Sequence, residues 1–226
     1  MTAGALVQGG AGFGLGVVAA PILTLLDPSL MPGALLVAAG VLPIFTFARE
    51  RAHTDWHGLS WAFAGRLGGT AAGAAVVAVL SVSELGALVG AVVLVAVALT
   101  ATRIQIQKNP GTLLSAGFVA GVTATAAAIG GPPIALVYQR DIGPRIRATL
   151  AVFFCAGSAV SLVALAGAGH LPGRALAAGA GLIPFVAAGF ALSAPLRRYL
   201  DNGRMRAAVL ALAAVAAVIL IVHDLL

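Results

Sequence analysis

Long apolar stretches separated by short polar connections are the dominant pattern of this chain. A helix that crosses the hydrocarbon core of a bilayer needs about 20 predominantly apolar residues, and most of these stretches approach that length. The connections leave no room for a domain outside the membrane. The pattern therefore predicts an all-α polytopic membrane protein. Its eight apolar segments are Thr2–Leu26, Met31–Ala48, Leu59–Leu80, Leu85–Ala101, Leu113–Tyr138, Ala148–Ala168, Ala175–Ala194 and Ala207–Val222.

Glycine and proline break two of these segments. The residues at the breaks are Gly12, Gly14, Gly16 and Pro21 in the first segment, and Gly130, Gly131, Pro132 and Pro133 in the fifth. A backbone inside lipid must satisfy its own N–H and C=O groups, so such breaks persist only where protein or a water-filled cavity surrounds them. Paired breaks in the two halves of a membrane protein indicate a transport site.

The composition agrees with a membrane protein, and it changes how the net positive charge of the chain is interpreted. Of the 226 residues, 61% are hydrophobic and only 9% are charged. A net charge of +6 would suggest nucleic acid as the partner of a soluble protein, but here the basic residues flank apolar segments, as the topology rule expects. We therefore expect the lipid bilayer as a partner and no nucleic acid. No basic residue precedes the first apolar run, which argues against a cleaved signal peptide.

The glycines also indicate an internal duplication. Three pairs of glycines share a displacement of 116 residues: Gly14 and Gly130, Gly65 and Gly181, and Gly73 and Gly189. They divide the chain near Asn109–Pro110. We therefore predict a first transmembrane repeat over 1–109 and a second over 110–226, with four apolar segments in each.

Basic residues test how the broken segments lie, because they collect on the cytoplasmic side. If all eight segments cross, seven basic residues fall on one side and five on the other. If the first segment of each half is a re-entrant hairpin, eleven share one side and only Arg174 lies opposite. Those eleven are Arg49, Arg51, Arg103, Lys108, Arg140, Arg145, Arg147, Arg197, Arg198, Arg204 and Arg206.

The second arrangement predicts two inverted repeats, each a broken or re-entrant helical hairpin followed by three transmembrane helices. Both termini then lie outside a bacterial inner membrane, which the protein crosses several times. The alternative of a crossing stays open for the second hairpin, because its first leg, Leu113–Ile129, is nearly long enough to span.

The breaks are also candidates for binding an anion. After each break a half-helix is predicted to begin, at about Val17 and at about Ile134, with free N–H groups and the positive end of its dipole directed into the break. Such an end binds an anion without a basic side chain. The alternative reading of closely spaced glycines is tight helix packing. We favour packing for three other sets: Gly65, Gly69 and Gly73; Gly86 and Gly90; and Gly117 and Gly121.

Four polar residues inside the segments complete the candidate substrate site. Arg66 is the only charge well inside a segment, and a guanidinium can bind an oxyanion through two hydrogen bonds. Its alternative is snorkelling, since it stands seven residues, about 10 Å, from Leu59. Gln8 precedes the first break, and Thr123 and Thr125 precede the second; each hydroxyl could instead bond to its own helix.

The ordered set of these features resembles the sulfite exporter TauE/SafE family, an organosulfur and anion transporter superfamily. The likeness runs over nearly the whole chain. It rests on the glycine-rich stretch that ends at Pro21, on Arg49 to Asp55-Trp56, on Gly117–Gly131 followed by Pro132-Pro133, and on the run Arg147–Phe154. The first half has three separated glycines where the family more usually has three adjacent ones. The resemblance implies transport of small or sulfur-containing anions, such as sulfite, thiosulfate or sulfoacetate, by two homologous halves.

Two other classes of function compete with transport. An intramembrane enzyme would need a nucleophile with a base, or a metal cluster, at membrane depth. Cys155 and Ser158 are present, but no histidine lies within a segment, so we expect no enzyme, no metal and no cofactor. A non-transporting assembly or partner subunit would explain the apolar helices but not the two matched breaks. The expected partner is a small anion, and a homodimer is left open.

Overall fold

Helices make up nearly all of the structure. The computed structural model describes residues 1–2, 4–5, 8, 14–101, 106–200 and 204–225, with the backbone alone at 49, 101, 194–200, 204–210, 212 and 223–225. These residues form nine α-helices and the short 3₁₀ turns Pro28–Leu30 and Arg51–His53, and no strand occurs among them. The helices are α1 (Leu15–Leu26), α2 (Gly33–Glu50), α3 (Trp56–Val79), α4 (Val82–Ala101), α5 (Pro110–Ala127), α6 (Gly131–Tyr138), α7 (Gly143–Gly167), α8 (Gly173–Leu200) and α9 (Arg204–Leu225).

The predicted all-α class is confirmed for this part of the chain, and the protein is a multi-pass membrane protein. Five helices contain a stretch long and apolar enough to span a bilayer: α3, α4, α5, α7 and α8. The apolar parts of α1, α2 and α9 are shorter. By its length, α5 qualifies as a crossing, although the sequence favoured it as the first leg of a hairpin.

The contacts at its two ends show that the fifth apolar segment folds back on itself. Ala128 takes a left-handed conformation (φ 58°), and its N–H donates to the carbonyl of Ala124, which ends α5. Lys108, just before α5, then forms an ion pair of 2.6 Å with Asp141, just after α6. The helices α5 and α6 are therefore the two legs of a hairpin that begins and ends at the same end of the molecule.

The first apolar segment is broken in a similar way. Described residues before α1 are helical at 2, 4, 5 and 8, and α1 begins at Leu15 after Gly14, whose φ is 130°. A positive φ of this kind favours glycine. This N-terminal stretch packs against α1, where Gly4 contacts Leu15, and against α8, where Gly189 contacts the carbonyl of Thr2.

The closest pair of helices is α3 and α5, and glycines make the contact. A methyl group on Gly65 would collide with the carbonyl of Leu114, and one on Gly117 would collide with the carbonyl of Ala62. Gly69 and Gly121 also lie too close to the facing backbone for an added methyl group. The packing interpretation of these glycine sets is therefore confirmed, and the two backbones touch as small-residue stripes allow.

The two half-helices α1 and α6 are each followed by three longer helices in the described part of the chain. The half-helices α1 and α6 begin at Leu15 and Gly131, which are 116 residues apart, as the glycine pairs are. The helices that follow them, α2 and α7, pack side by side in opposite directions. Gly40 lies against Ser158 near their middle, and Glu50 pairs with Arg147 at 2.8 Å near one end.

Charged side chains join the loops at the end of the molecule where the α5–α6 hairpin begins. Asp55 caps α3 by accepting from the N–H of Gly58 at 3.1 Å, and it pairs with Lys108 at 3.2 Å and with Arg145 at 3.5 Å. Burial raises the pKa of the Asp55 carboxyl, but the Gly58 N–H, Lys108 and Arg145 together bring that pKa below its usual value. The loops that precede α3, α5 and α7 thus meet in one ion-pair cluster of Asp55, Lys108, Asp141 and Arg145.

Gly65 and Gly181 share the 116-residue displacement, and alanine substitution at each should show that only Gly65 is tightly packed. We expect Gly65→Ala to lower the free energy of unfolding by about 1–3 kcal/mol, because the added methyl group has only the Leu114 backbone to displace. Gly181 has nothing within 4 Å of such a methyl group, so Gly181→Ala should leave the melting temperature unchanged or slightly raised. Thermal unfolding in detergent measures both, and equal melting temperatures would contradict the assignment.

The lowered pKa of Asp55 predicts a pH dependence with a defined sign. Its charge stabilises the folded protein above the unfolded pKa of about 4, and this contribution is lost as pH falls through the lower folded pKa. Asp55→Asn keeps a helix cap but removes the charge beside Lys108 and Arg145. We expect the variant to melt lower than the parent at pH 7 and the difference to shrink toward pH 3. A difference that does not change with pH would contradict the ion-pair role.

Candidate functional site

The two breaks meet at one small cavity. Its volume is about 50 Å³, which is room for about three or four water-sized groups. Contact between the breaks is direct, because Gly16 at the start of α1 faces the carbonyl of Ala128 at the end of α5. The lining residues are Gln8, Gly14, Gly16, Val17, Leu36, Ala39, Arg66, Ala124, Ala128, Ile129, Gly130, Gly131, Pro132, Phe154 and Ser158.

Both half-helices direct their first turns to this cavity, but they begin earlier than predicted. The starts are Leu15 and Gly131, not Val17 and Ile134, because the glycines themselves enter the first turn. In α6 the second and third positions are Pro132 and Pro133, which have no N–H to offer. The backbone donors of α6 are therefore fewer than a half-helix normally provides.

Gln8 joins the residues before the first break to the start of α1. Its side-chain oxygen accepts from the N–H of Leu15 at 3.2 Å, and the group is buried. Because a backbone N–H can only donate, this bond identifies the oxygen of the Gln8 amide and leaves its NH₂ group as a donor on the other side. Gln8 thus supplies a hydrogen-bond donor at the cavity wall.

Arg66 lies at the centre of the site, and its side chain is only 1% exposed. The guanidinium carbon stands 4.7 Å from the centroid of the Phe153 ring, in cation–π geometry. The group lies across Gly157 of α7, where any Cβ would collide with it, and its Nη1 approaches Gly130 at the second break. The snorkelling alternative for Arg66 is therefore wrong, because the side chain points inward, into the space that Gly157 leaves beside α7. The position of Arg66 along α3 does not by itself predict this direction.

The Arg66 guanidinium has no protein counter-charge in the described part of the chain. Its Nε and Nη1 atoms are buried and make no hydrogen bond there. Five of the seven carboxylates are engaged elsewhere: Asp27, Glu50, Asp55, Glu84 and Asp141. The other two, Asp201 and Asp224, lie outside the described side chains. Within the described residues the cavity wall therefore carries a positive charge and hydrogen-bond donors, and no carboxylate.

Several predicted site residues do not line this cavity. The Thr123 hydroxyl donates to the carbonyl of Val119 at 3.0 Å, as its alternative reading expected, and Thr125 pairs with Ser161 at 2.9 Å. Pro21 is buried inside α1, and Pro133 lies within the first turn of α6. Gly12 lies outside the described residues.

Three residues of α7 belong to the site although the sequence did not single them out as binding residues. Phe153 covers the guanidinium, Gly157 makes room for it, and Ser158 lines the cavity. Phe153 and Gly157 are four positions apart and lie on one face of α7, and Ser158 directly follows Gly157. The sequence signal was weak, since small residues and phenylalanine are common in every apolar segment.

A second cavity, of about 240 Å³, opens at the other end of the molecule. Thr24, Ser29 and His170 are among its lining residues, and Asp27 pairs with Arg174 nearby at 2.7 Å. A cluster of buried apolar residues separates it from the inner cavity: Leu36, Val77, Ala126 and Leu165. Leu36 lines the inner cavity, while Val77 and Ala126 line the outer one, so this cluster is the wall between them.

Comparison with known proteins adds the family. The family described as sulfite exporter TauE/SafE matches residues 1–220, which is nearly the whole chain. Neither a curated protein nor a solved structure matches. The cavity between the two breaks thus lies in a chain that matches a membrane transporter family over nearly its whole length. The chain is a member of the sulfite exporter TauE/SafE family.

Proposed function

We propose that this protein is a secondary transporter or facilitator of small anions, with sulfur oxyanions such as sulfite and thiosulfate as substrates and sulfoacetate as a larger one. The substrate binds in the inner cavity between the two breaks. One observation carries the proposal: the buried Arg66 side chain is among the residues that line the cavity, and its Nε and Nη1 atoms have no hydrogen-bond partner among the described residues. Burying a charge costs free energy that an opposite charge can offset, and a bound anion would be such a partner.

The chemistry of the wall favours an oxyanion over a cation. Arg66 presents a planar set of donors that suits an oxyanion, and Gln8 adds an amide donor. The first turn of α1 adds the N–H groups of Gly16 and Val17, and the dipole of α1 has its positive end there. An amine would meet the same charge as Arg66 and find no carboxylate among the described lining residues.

The arrangement of helices supports an inverted pair of repeats, 1–109 and 110–226. The equivalent helices α2 and α7 run in opposite directions, with Gly40 against Ser158, as a two-fold axis in the membrane plane requires. The α5–α6 hairpin has both ends in the ion-pair cluster of Asp55, Lys108 and Asp141. We place this cluster on the cytoplasmic side of a bacterial inner membrane, with both termini outside, because basic residues collect on that side.

The alternative of a non-transporting assembly subunit makes a different prediction. Such a subunit would not need a cavity at which two half-helices begin beside a buried arginine. An intramembrane enzyme is disfavoured by the surroundings of its candidate nucleophile, because Ser158 lies against Gly40 and beside Arg66, without a histidine among the described cavity residues.

Replacing the buried arginine tests the function. We expect Arg66→Gln in proteoliposomes to reduce thiosulfate and sulfite flux by at least about 100-fold, since the charge-assisted bonds to the anion are lost. Arg174→Gln is the matched control, because Arg174 is exposed and pairs with Asp27 at the other end. Excess sulfoacetate should compete with the labelled anion, and a short alkylamine should not. Unchanged flux in Arg66→Gln, or competition by the amine alone, would contradict the proposal.

Arg66 is a more specific position for this test than Gly130. A side chain at Gly130 would press on the Ala120 carbonyl at 2.9 Å and disturb packing.

The topology has its own test. In a Cys155→Ala background, single cysteines near Arg51 and Arg140 should react with an impermeant maleimide only from the cytoplasmic side. A cysteine at Thr2 should react only from outside. Cys155 is the only native cysteine, so the background is free of competing thiols. Labelling of Thr2→Cys and of the Arg140 loop from the same side would contradict the inverted arrangement.

A further inference from the structure

The inner cavity and the outer cavity lie along the same two helices. In α1, Val17 lines the inner cavity and Thr24 lines the outer one. In α2, Pro32 at the N-cap lines the outer cavity and Ala39 lines the inner one. The two residues of each pair are seven positions apart, which is about 10 Å along a helix. The two cavities therefore follow one another along α1 and α2.

Leu36 stands in the wall between these cavities. It lies in α2 between Pro32 and Ala39, it lines the inner cavity, and only 3% of it is exposed. It belongs to one buried cluster with Val77 and Ala126, which line the outer cavity. A single side chain therefore separates the inner cavity from residues that line the outer one.

Leu36 is also the member of this wall whose side chain has room to move. Ala126 carries only a methyl group, and Val77 is β-branched, which restricts its rotamers in a helix. Leu165 is fully buried and lines neither cavity. Leu36 borders the space of the inner cavity and can change its rotamer into that space.

The apolar packing between the inner cavity and the ion-pair cluster is more extensive. The helix α6 runs from Gly131 at the inner cavity to Tyr138, whose ring lies 4.9 Å from the Lys108 ammonium. The wall at Leu36 is therefore the smaller of the two barriers that flank the inner cavity. The larger buried cluster on the other side consists of Leu59, Ala62, Leu113, Ala120, Ile134, Val137, Tyr138, Leu150 and Phe153.

We propose that Leu36 is the outer gate of the transport route and that the outer cavity is the mouth of this route. The proposal rests on the proposed function. An apolar constriction impedes an ion, because the ion must give up water to enter it. When the Leu36 side chain turns away, the inner cavity with Arg66 in its lining opens to the outer cavity.

Thiol labelling tests this gate without measuring transport. The probe is sulfonatoethyl methanethiosulfonate, a membrane-impermeant sulfonate that modifies cysteine. Its target is Ala39→Cys at the inner cavity, in the full chain with Cys155→Ala. In the proposed topology, spheroplasts present the side of the outer cavity to the reagent, and everted vesicles present the side of the ion-pair cluster.

We expect Leu36→Ala to raise the labelling rate of this cysteine in spheroplasts by at least about tenfold, because the removed side chain leaves a space that its neighbours only partly fill. Leu36→Phe should lower this rate, and thiosulfate flux with it, by about tenfold, because a larger side chain fills the route. Ser29→Cys lies at the outer cavity and is exposed, so its labelling should not depend on Leu36.

Leu42 provides the matched control. It lies in the same helix, is 2% exposed and lines neither cavity. Leu42→Ala should lower the melting temperature as Leu36→Ala does, because both changes leave a space in the packing. Leu42→Ala should nevertheless leave the labelling rate of Ala39→Cys at the parent value, whereas a general loosening of the fold would raise that rate in both variants.

The outcomes distinguish the gate from the function beneath it. Labelling that does not rise in Leu36→Ala, or that rises equally in Leu42→Ala, would overturn the gate and leave anion transport standing. A rise confined to everted vesicles would overturn the placement of the gate on the outer side. Folded protein with the expected labelling but no flux of thiosulfate, sulfite or sulfoacetate would overturn the proposed function, and the transport role of Leu36 with it.

Discussion

The contact between α3 and α5 is a contact of two backbones, and the rest of the site depends on it. Gly65 and Gly69 of α3 face Gly117 and Gly121 of α5, and no larger residue fits at these positions without moving a helix. Arg66 lies between the first two glycines, so the same packing that joins the helices sets the direction of its side chain. Because α5 is held so closely, the break at its end comes to rest beside the guanidinium.

The buried arginine in turn accounts for a glycine and a phenylalanine on the facing side of α7. Gly157 leaves a space that the guanidinium fills, and Phe153 offers its ring to the charge. An isolated arginine at this depth would be unstable in a membrane, because charged groups there need a partner or water. Small and aromatic residues surround Arg66, and its Nε and Nη1 atoms have no hydrogen-bond partner among the described residues. In a family of sulfite exporters, such a site suits an anionic cargo.

The two ends of the molecule are held by different physical interactions. Ion pairs join the loops at Asp55, Lys108 and Asp141, and a cluster of buried apolar residues that includes Val77 and Ala126 lies toward the other end. Ion pairs respond to pH and salt, whereas apolar contacts respond mainly to the area they bury. The two ends of the molecule therefore differ in their chemistry. Gly65 and Gly181 show the same divergence, since one is tightly packed and the other faces open space.

The sequence alone determined the helical class, the approximate helix positions and the two breaks. It did so because apolar length, glycine and proline act locally along the chain, and a bilayer permits few backbone conformations. It also indicated the loops that share the cluster at Asp55, since basic residues mark one side. What the sequence could not determine is whether Arg66 points to lipid headgroups or inward, and that Thr125 bonds to Ser161 instead of lining the cavity. Those outcomes depend on distances between helices far apart in the chain, and only the packing of α3 against α5 and α7 sets them.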